Sequence, residues 1–173
     1  MMTKQVAMMR WDHLRQLNGI ALRAIAALPA DKIDSHPITN MRTPKELVVH
    51  VYGTVVKSII EGITSGEVVE LDEPAACATI KSRDALVRFA TDCWKAADRS
   101  MEAATDAQIA RMAKTPYGRD MAGEALMGIT EDEFLHHRGQ LYAFLRALGA
   151  EPPFLWDFEH NAPEYQPKAA QKA

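Results

Sequence analysis

Glu133 and His137 are the two residues of this sequence whose types and spacing point most directly to chemistry. Side chains four residues apart on an α-helix lie one above the other, so this carboxylate and this imidazole can reach a single ion. Oxygen and imidazole-nitrogen ligands suit zinc, iron(II), nickel or manganese. A salt bridge between the two side chains inside the protein explains the pair without a metal, as does a helix turned so that both face water.

The segment that carries the pair is predicted to be an amphipathic helix over residues 123–148. At about 100° per residue, Glu133 and His137 fall within an apolar stripe together with Leu126, Met127, Ile129, Phe134, Leu141, Phe144, Leu145 and Leu148. Burial of an unpaired carboxylate costs several kcal/mol, and a bound cation would remove that cost. Leu135 and Tyr142 fall outside the stripe, which predicts a surface that contacts a partner.

A metal site needs a third ligand, and His50 is the candidate that the sequence offers. It lies in the middle of the second predicted helix, where Gly53 and Thr54 one turn later leave room for an ion and a substrate. The periodicity of that helix, however, turns His50 away from its apolar centre and predicts exposure. His136 and Gln140, beside the pair on the last helix, are expected to orient the ligands by hydrogen bonding.

Four long helices are predicted to position these residues. The second begins with Thr43, Pro44 and Glu46, a capping box with proline at the first helical position. The predicted helices cover about residues 5–28, 43–63, 83–101 and 123–148, with a short helix within 105–111 and connections at 30–42 and 67–81. This pattern predicts an all-α four-helix bundle, with one domain over residues 1–160 and a disordered polar tail over residues 161–173.

Composition excludes several classes of function. The formal net charge of -3 and the isoelectric point near 6.1 give no support for nucleic-acid binding. The two cysteines, Cys77 and Cys93, lack the spacing of a redox or zinc motif and suit a reducing compartment. Since neither a signal peptide nor a long apolar run is recognisable, we expect a cytoplasmic protein with no membrane segment.

The end of the last helix resembles a known family. Residues 137–149, which read HRGQLYAFLRALG and precede Pro152 and Pro153, resemble the signature ending of the DinB-like (DinB/YfiT) metalloprotein superfamily. The stretch from Thr43 to His50 resembles the segment that carries the family's first ligand, and the resemblance covers about residues 8–157. It implies a bundle of up-down-down-up order, a cytoplasmic homodimer, and one divalent metal held by three histidines.

Carried over by position, the family's ligands correspond to His50, Glu133 and His137. Because position 133 holds glutamate rather than histidine, the resemblance implies a site of two histidines and one carboxylate, which favours harder ions. The family includes thiol-dependent transferases and isomerases, for which a small-molecule thiol would be the partner, and proteins assigned as hydrolases. We therefore expect a metal-dependent enzyme of one of these types.

Two other classes of function stay open at this point. One is a non-catalytic, stress-related protein that binds a metal or a small ligand. The other is a purely structural bundle in which Glu133 and His137 form an ion pair. A di-iron site of the ferritin type is disfavoured, because it requires two Glu-x-x-His motifs and the chain offers only the one from Glu133 to His136. Arg138 lies outside the apolar stripe, which favours a structural or dimer role for it.

Overall fold

The computed structural model describes residues 2–167 of the chain, and most of these residues are helical. In chain order the elements are α1 (Lys4–Ala26), α2 (Pro44–Ser65), α3 (Glu73–Thr79), α4 (Arg83–Ala103), α5 (Asp106–Ala110), the strands β1 (Met112–Ala113) and β2 (Met121–Ala122), and α6 (Gly123–Ala147). A 3-10 turn follows at Pro163–Tyr165. The all-α class predicted from the sequence is confirmed.

The helices begin where short polar side chains can cap them. At the start of α2 the Thr43 side chain accepts a hydrogen bond from the Glu46 backbone, and the Glu46 carboxylate accepts one from the Thr43 backbone, which confirms the predicted capping box. Ser82 caps α4 in a similar way through the Ala85 backbone. Gly66, with a φ of 93°, ends α2 in the left-handed region that favours glycine.

The four long helices enclose one apolar core. Helix α1 packs against α4 and α6, and α2 packs against the same two helices. The Trp11 and Trp94 rings stack at 4.4 Å between α1 and α4. Beside them the fully buried Arg15 lies 2.6 Å from a carboxylate oxygen of Asp98 and 3.1 Å from one of Asp12. A buried charge is tolerable when it is paired in this way.

Contacts between helix termini show which termini share an end of the molecule. At one end the neighbours are Met2 with Glu124, Lys4 with Glu102, and Ile63 with Gly123. At the other end they are Leu28 with Arg83, and Lys45 with Ile80. The start of α1 therefore lies with the ends of α2 and α4 and with the start of α6.

The connection between α2 and α4 differs from its prediction, because it contains helix α3. Asp72 caps this helix by accepting a hydrogen bond from the Ala75 backbone, and Pro74 occupies its first turn. The segment between α5 and α6 forms a short antiparallel hairpin, in which Met112 pairs with Ala122. The predicted turn at residues 115–119 joins its two strands.

Helix α2 corrects the expectation that no segment is long and apolar enough to cross a membrane. By length and composition alone Pro44–Ser65 passes that test, although 72% of the window concerned is buried inside the protein. Core helices pass the same test, and the apolar side chains of α2 pack against α4 and α6.

The predicted disordered tail begins too early in the chain. Asn161 is buried, and its side-chain amide donates a hydrogen bond of 2.8 Å to the Gln16 carbonyl of α1. A Cβ atom on Gly19 would lie 2.5 Å from the Asn161 side chain, so glycine permits this close approach. Tyr165 is also buried. Residues 161–167 therefore pack on the helices, while the rest of the predicted tail lies outside the described residues.

Candidate metal centre

Three side chains converge between the first half of α2 and the middle of α6. His50, Glu133 and His137 each offer a ligand atom, and the three atoms lie within 4.8 Å of one another. The two imidazole rings meet edge to face, with centroids 5.0 Å apart and planes at 87°. The structure thus brings together the three residues that the sequence and the resemblance singled out.

On α6 the spacing of four residues places Glu133 directly beside His137. The Nε2 atom of His137 lies 3.1 Å from Glu133 Oε2. The opposite ring nitrogen, Nδ1, lies 2.8 Å from the side-chain oxygen of Gln140, which can only accept a hydrogen bond. Gln140 therefore fixes the proton of a neutral His137 ring on Nδ1 and leaves Nε2 with an exposed lone pair.

His50 owes its position to an unusual stretch of backbone. Residues His50–Ser58 of α2 form a π-helix, whose hydrogen bonds run from residue i to i+5 and change the direction in which successive side chains point. The expectation that His50 is exposed rested on α-helical periodicity and is wrong, because only 19% of its side chain is accessible. Stretches of π-helix occur frequently at functional sites.

Glu73 supports His50 from the first turn of α3. Its Oε1 atom lies 2.7 Å from His50 Nδ1 and 2.6 Å from the Thr54 hydroxyl, so it accepts a hydrogen bond from each. Although partial burial raises the pKa of Glu73, the hydrogen bonds from Thr54 and His50 outweigh it and hold that pKa below its ordinary value. The ionised carboxylate fixes the proton of His50 on Nδ1, as carboxylates beside metal-binding histidines commonly do.

A neutral His137 ring with its proton on Nδ1 has no hydrogen to donate to Glu133. Burial lowers the pKa of His137, which favours the neutral ring. Such a ring then presents the Nε2 lone pair to a carboxylate oxygen of Glu133 across 3.1 Å. Two acceptors at this distance repel each other unless a cation lies between them or beside both. The donor set therefore fits a divalent ion.

Two predictions about side-chain exposure on α6 need correction. The Glu133 side chain is 44% exposed, so the cost of burying its carboxylate does not argue for a metal. Helix α6 lies at the edge of the core here and only the His137 side is covered by α2.

Tyr142, expected on an exposed partner surface, is 8% exposed. It is covered because the chain beyond α6 folds back towards α1, as the bond between Arg23 and Asp157 shows. Leu135, by contrast, is exposed as predicted.

The two residues expected to orient the ligands lie at different distances from them. Gln140 contacts His137 directly, whereas His136 is exposed and is bonded to Gln140, at 2.9 Å between the two Nε2 atoms. The amide group of Gln140 thus connects the two histidines. His136 stands one hydrogen bond further from the ligand atoms than Gln140 does.

The sequence analysis identified neither Glu73 as a partner of His50 nor Tyr117 as a neighbour of the site. A signal for Glu73 was present, since Asp72 and Pro74 around it form a typical helix start. Tyr117, at the tip of the β1–β2 hairpin, has its pKa raised by partial burial and also by the charges of Glu70 and Glu133. Tyr117 is therefore within electrostatic range of Glu133. No pattern in the sequence links this turn to the histidines.

Comparisons with known proteins agree with the fold. The profile of the DinB family matches residues 1–168. The structure resembles the crystal structure of a DinB-like protein, YjoA, from Bacillus subtilis, with a TM-score of 0.65 and 22% sequence identity over 81% of this chain and 92% of that one. At this identity the likeness is one of fold. No protein with a curated description matches the sequence.

Proposed function

This chain belongs to the DinB family, and from that premise we propose that it binds one divalent metal ion through His50, Glu133 and His137. The observation that carries the proposal is the placement of hydrogen-bond acceptors. Both histidines are bonded through Nδ1, to Glu73 and to Gln140, so both Nε2 atoms are available as ligands. The carboxylate beside them completes a donor set for zinc, nickel, iron(II) or manganese.

We also infer that the four long helices form a bundle of up-down-down-up order. The contacts between helix termini support this order, since α1 and α6 start at the end of the molecule where α2 and α4 finish. The order matters for the site because it sets α2 antiparallel to α6. As a result, a residue in the first half of α2 meets residues near the middle of α6.

The protein's own groups would each have a defined part in such a site. A bound ion would supply Lewis acidity and lower the pKa of a coordinated water or thiol. Glu73 and Gln140 would hold the histidine rings in place, and Thr54 would hold Glu73. The exposed side of Glu133 leaves room for a small molecule to approach.

We propose further that the protein is a metal-dependent enzyme, of the thiol-dependent transferase or isomerase type or of the hydrolase type. For the thiol-dependent reading, the thiol has to come from outside the chain. Burial raises the pKa of the Cys93 thiol to about 12 and also raises the pKa of Cys77, so neither is a thiolate near neutral pH. A small-molecule thiol is therefore the expected nucleophile. A non-catalytic, stress-related role in metal or ligand binding is the alternative.

A cytoplasmic homodimer is part of the same proposal. Val6 and Met9 on α1 and Leu135 on α6 are large apolar residues exposed by 46%, 65% and 42%. Exposed apolar groups on neighbouring helices suit a contact with a second copy. Light scattering at micromolar concentration should give twice the mass of the chain, and a mass of one chain would contradict the dimer.

The metal site is tested by elemental analysis of protein purified without an affinity tag. We expect about one transition-metal ion per chain. His50→Ala and His137→Ala should each lose most of this metal, while His13→Ala, which removes an exposed histidine of α1, should retain it. Metal far below one ion per chain in every preparation, or the same content in all four proteins, would contradict the proposal. Thermal shifts with added thiols and electrophiles then separate the two functions. A saturable shift supports the enzyme, and no saturable shift with any of them favours the non-catalytic alternative.

A further inference from the structure

Arg138 is a buried cation for which the described residues provide no counter-charge. Its residue is only 9% exposed, and its Nη1 atom makes no hydrogen bond with any described group. A guanidinium removed from water without a carboxylate costs several kcal/mol. A group from outside the chain would remove this cost.

Tyr142 and Arg146 follow Arg138 at intervals of four residues and lie on the same face of α6. Tyr142 is 8% exposed, and its hydroxyl is buried without a hydrogen-bond partner among the described residues. The guanidinium of Arg146 lies over the Tyr142 ring, 5.9 Å from its centroid. Successive turns of one helix thus offer a guanidinium, a hydroxyl and a second guanidinium, which are the groups that bind carboxylates and phosphates.

These three residues line a groove between α6 and the chain that follows it, which we call the outer groove. Its volume is about 770 Å³, within the usual range for sites that bind small molecules. The rest of its lining is mainly apolar and comes from Leu135, Pro152, Pro153, Phe154 and Leu155. Phe154 is 70% exposed, so the groove presents apolar surface to solvent. Glu151 is the one acidic side chain of the lining.

We propose that the outer groove binds a small molecule with an oxyanion head, a carboxylate or a phosphate, and an apolar body. The head would enter the groove beside Arg138 and Tyr142 and accept hydrogen bonds from the Arg138 guanidinium, with Arg146 as a second cation of the same lining. The body would cover Phe154 and Leu155. This site is distinct from the metal centre, whose ligands project from α6 towards α2, and it does not depend on that centre being loaded.

The chemistry of the groove favours a small anion over a protein partner. Arg138 and Tyr142 line the groove although each is about nine-tenths buried, so they lie in a recess that a compact head group can enter more easily than a flat surface can. Without a ligand, Arg138 has a destabilising effect that Met would not have. The Arg138→Met variant is therefore expected to fold, and its metal content provides an independent measure of an intact molecule.

Calorimetric titration of the metal-loaded, full-length protein tests the site. The probes are decanoate and decyl phosphate below their critical micelle concentrations, with decanol as the neutral match. We expect saturable binding of at least one of the two anions and binding of decanol at least about tenfold weaker, since a hydrogen bond to a charged group contributes roughly that factor. Decanoate and decyl phosphate separately report a preference for carboxylate or phosphate.

Variants then locate the binding. Arg138→Met should weaken anion binding at least about tenfold and Tyr142→Phe by a few-fold, while Arg88→Met, which removes an exposed arginine of α4, should leave it unchanged. Equal binding of decanol and the anions, or anion binding unaffected by Arg138→Met, would overturn the proposal. A third result would also overturn the proposal, namely that the parent protein binds neither anion and is a dimer that dissociates in the Phe154→Ser variant. The occupant of the groove would then be a second copy of the chain.

Discussion

Arg15 and Arg138 are both buried arginines, and they differ in what surrounds the charge. Arg15 lies between α1 and α4 with carboxylates of Asp98 and Asp12 at 2.6 Å and 3.1 Å. Arg138 on α6 has no carboxylate near it among the described residues. The first arginine is therefore balanced by the chain itself and has a structural role. The second requires a partner from elsewhere.

The same distinction applies to the metal centre. The Nδ1 atoms of His50 and His137 are bonded to Glu73 and Gln140 within the chain. With both rings protonated on Nδ1, their Nε2 atoms and the Glu133 carboxylate are all hydrogen-bond acceptors. The metal centre thus brings together acceptors, which suit a cation, whereas Arg138 presents a buried guanidinium without a carboxylate partner among the described residues, which suits an anion. The two sides of α6 would thus bind ligands of opposite charge.

The largest expected effect separates the two arginines. Arg15→Met should lower the free energy of unfolding by roughly 3–5 kcal/mol, because it removes the counter-charge of Asp12, which is buried, and of Asp98, which is partly buried. Arg138→Met should leave that free energy unchanged or raise it, since it removes an unpaired charge. Urea unfolding of both variants beside the parent protein measures the difference. Similar losses in the two variants would show that Arg138 also has a partner within the chain.

A smaller effect is expected when the support of His50 is altered. Glu73→Gln keeps the size of the side chain and removes its charge, so the Nδ1 proton of His50 is held less firmly. We expect metal affinity to fall by roughly 10–100-fold, as for other changes to groups that orient metal ligands. Competition with a chromophoric chelator gives the affinity. Glu159→Gln, an exposed acid beyond α6, is the matched control, and equal affinities of the two variants would remove Glu73 from the site.

The smallest effect concerns Thr54. Thr54→Val keeps the shape of the side chain and removes the hydroxyl that donates to Glu73 at 2.6 Å. Removing one hydrogen bond to a charged group costs on the order of 1.5–3 kcal/mol in a buried site. This change affects the metal only indirectly, through the position of Glu73. Metal affinity should therefore fall by only a few-fold, less than for Glu73→Gln. A larger loss than in Glu73→Gln would mean that Thr54 acts on the metal by another route.

Local patterns in the sequence predicted those parts of the fold that depend on neighbouring residues. The capping box at Thr43 and the helix that holds Glu133 and His137 were both predictable, because capping and helical spacing depend on residues within a few positions. The family resemblance added His50. Its burial could not be predicted, because a π-helical stretch changes the periodicity on which the prediction rests.

Contacts between distant segments account for what the sequence did not reveal. Glu73 lies 23 positions from His50 along the chain, and only the helix that Asp72 caps brings the two together. Tyr142 fell on the outer side of its helix and is nevertheless buried by the chain that returns after α6. The outer groove has the same origin. Periodicity within one helix cannot predict a site whose other wall is a segment without regular structure.

A crystal structure with anomalous diffraction data at the edges of manganese, iron, nickel and zinc tests the metal site most directly. The account predicts one anomalous peak, at roughly 2.0–2.3 Å from the Nε2 atoms of His50 and His137 and from a carboxylate oxygen of Glu133. The peak should be absent in crystals of His137→Ala. A peak elsewhere, or crystals of metal-treated protein with no peak between these three side chains, would contradict the account.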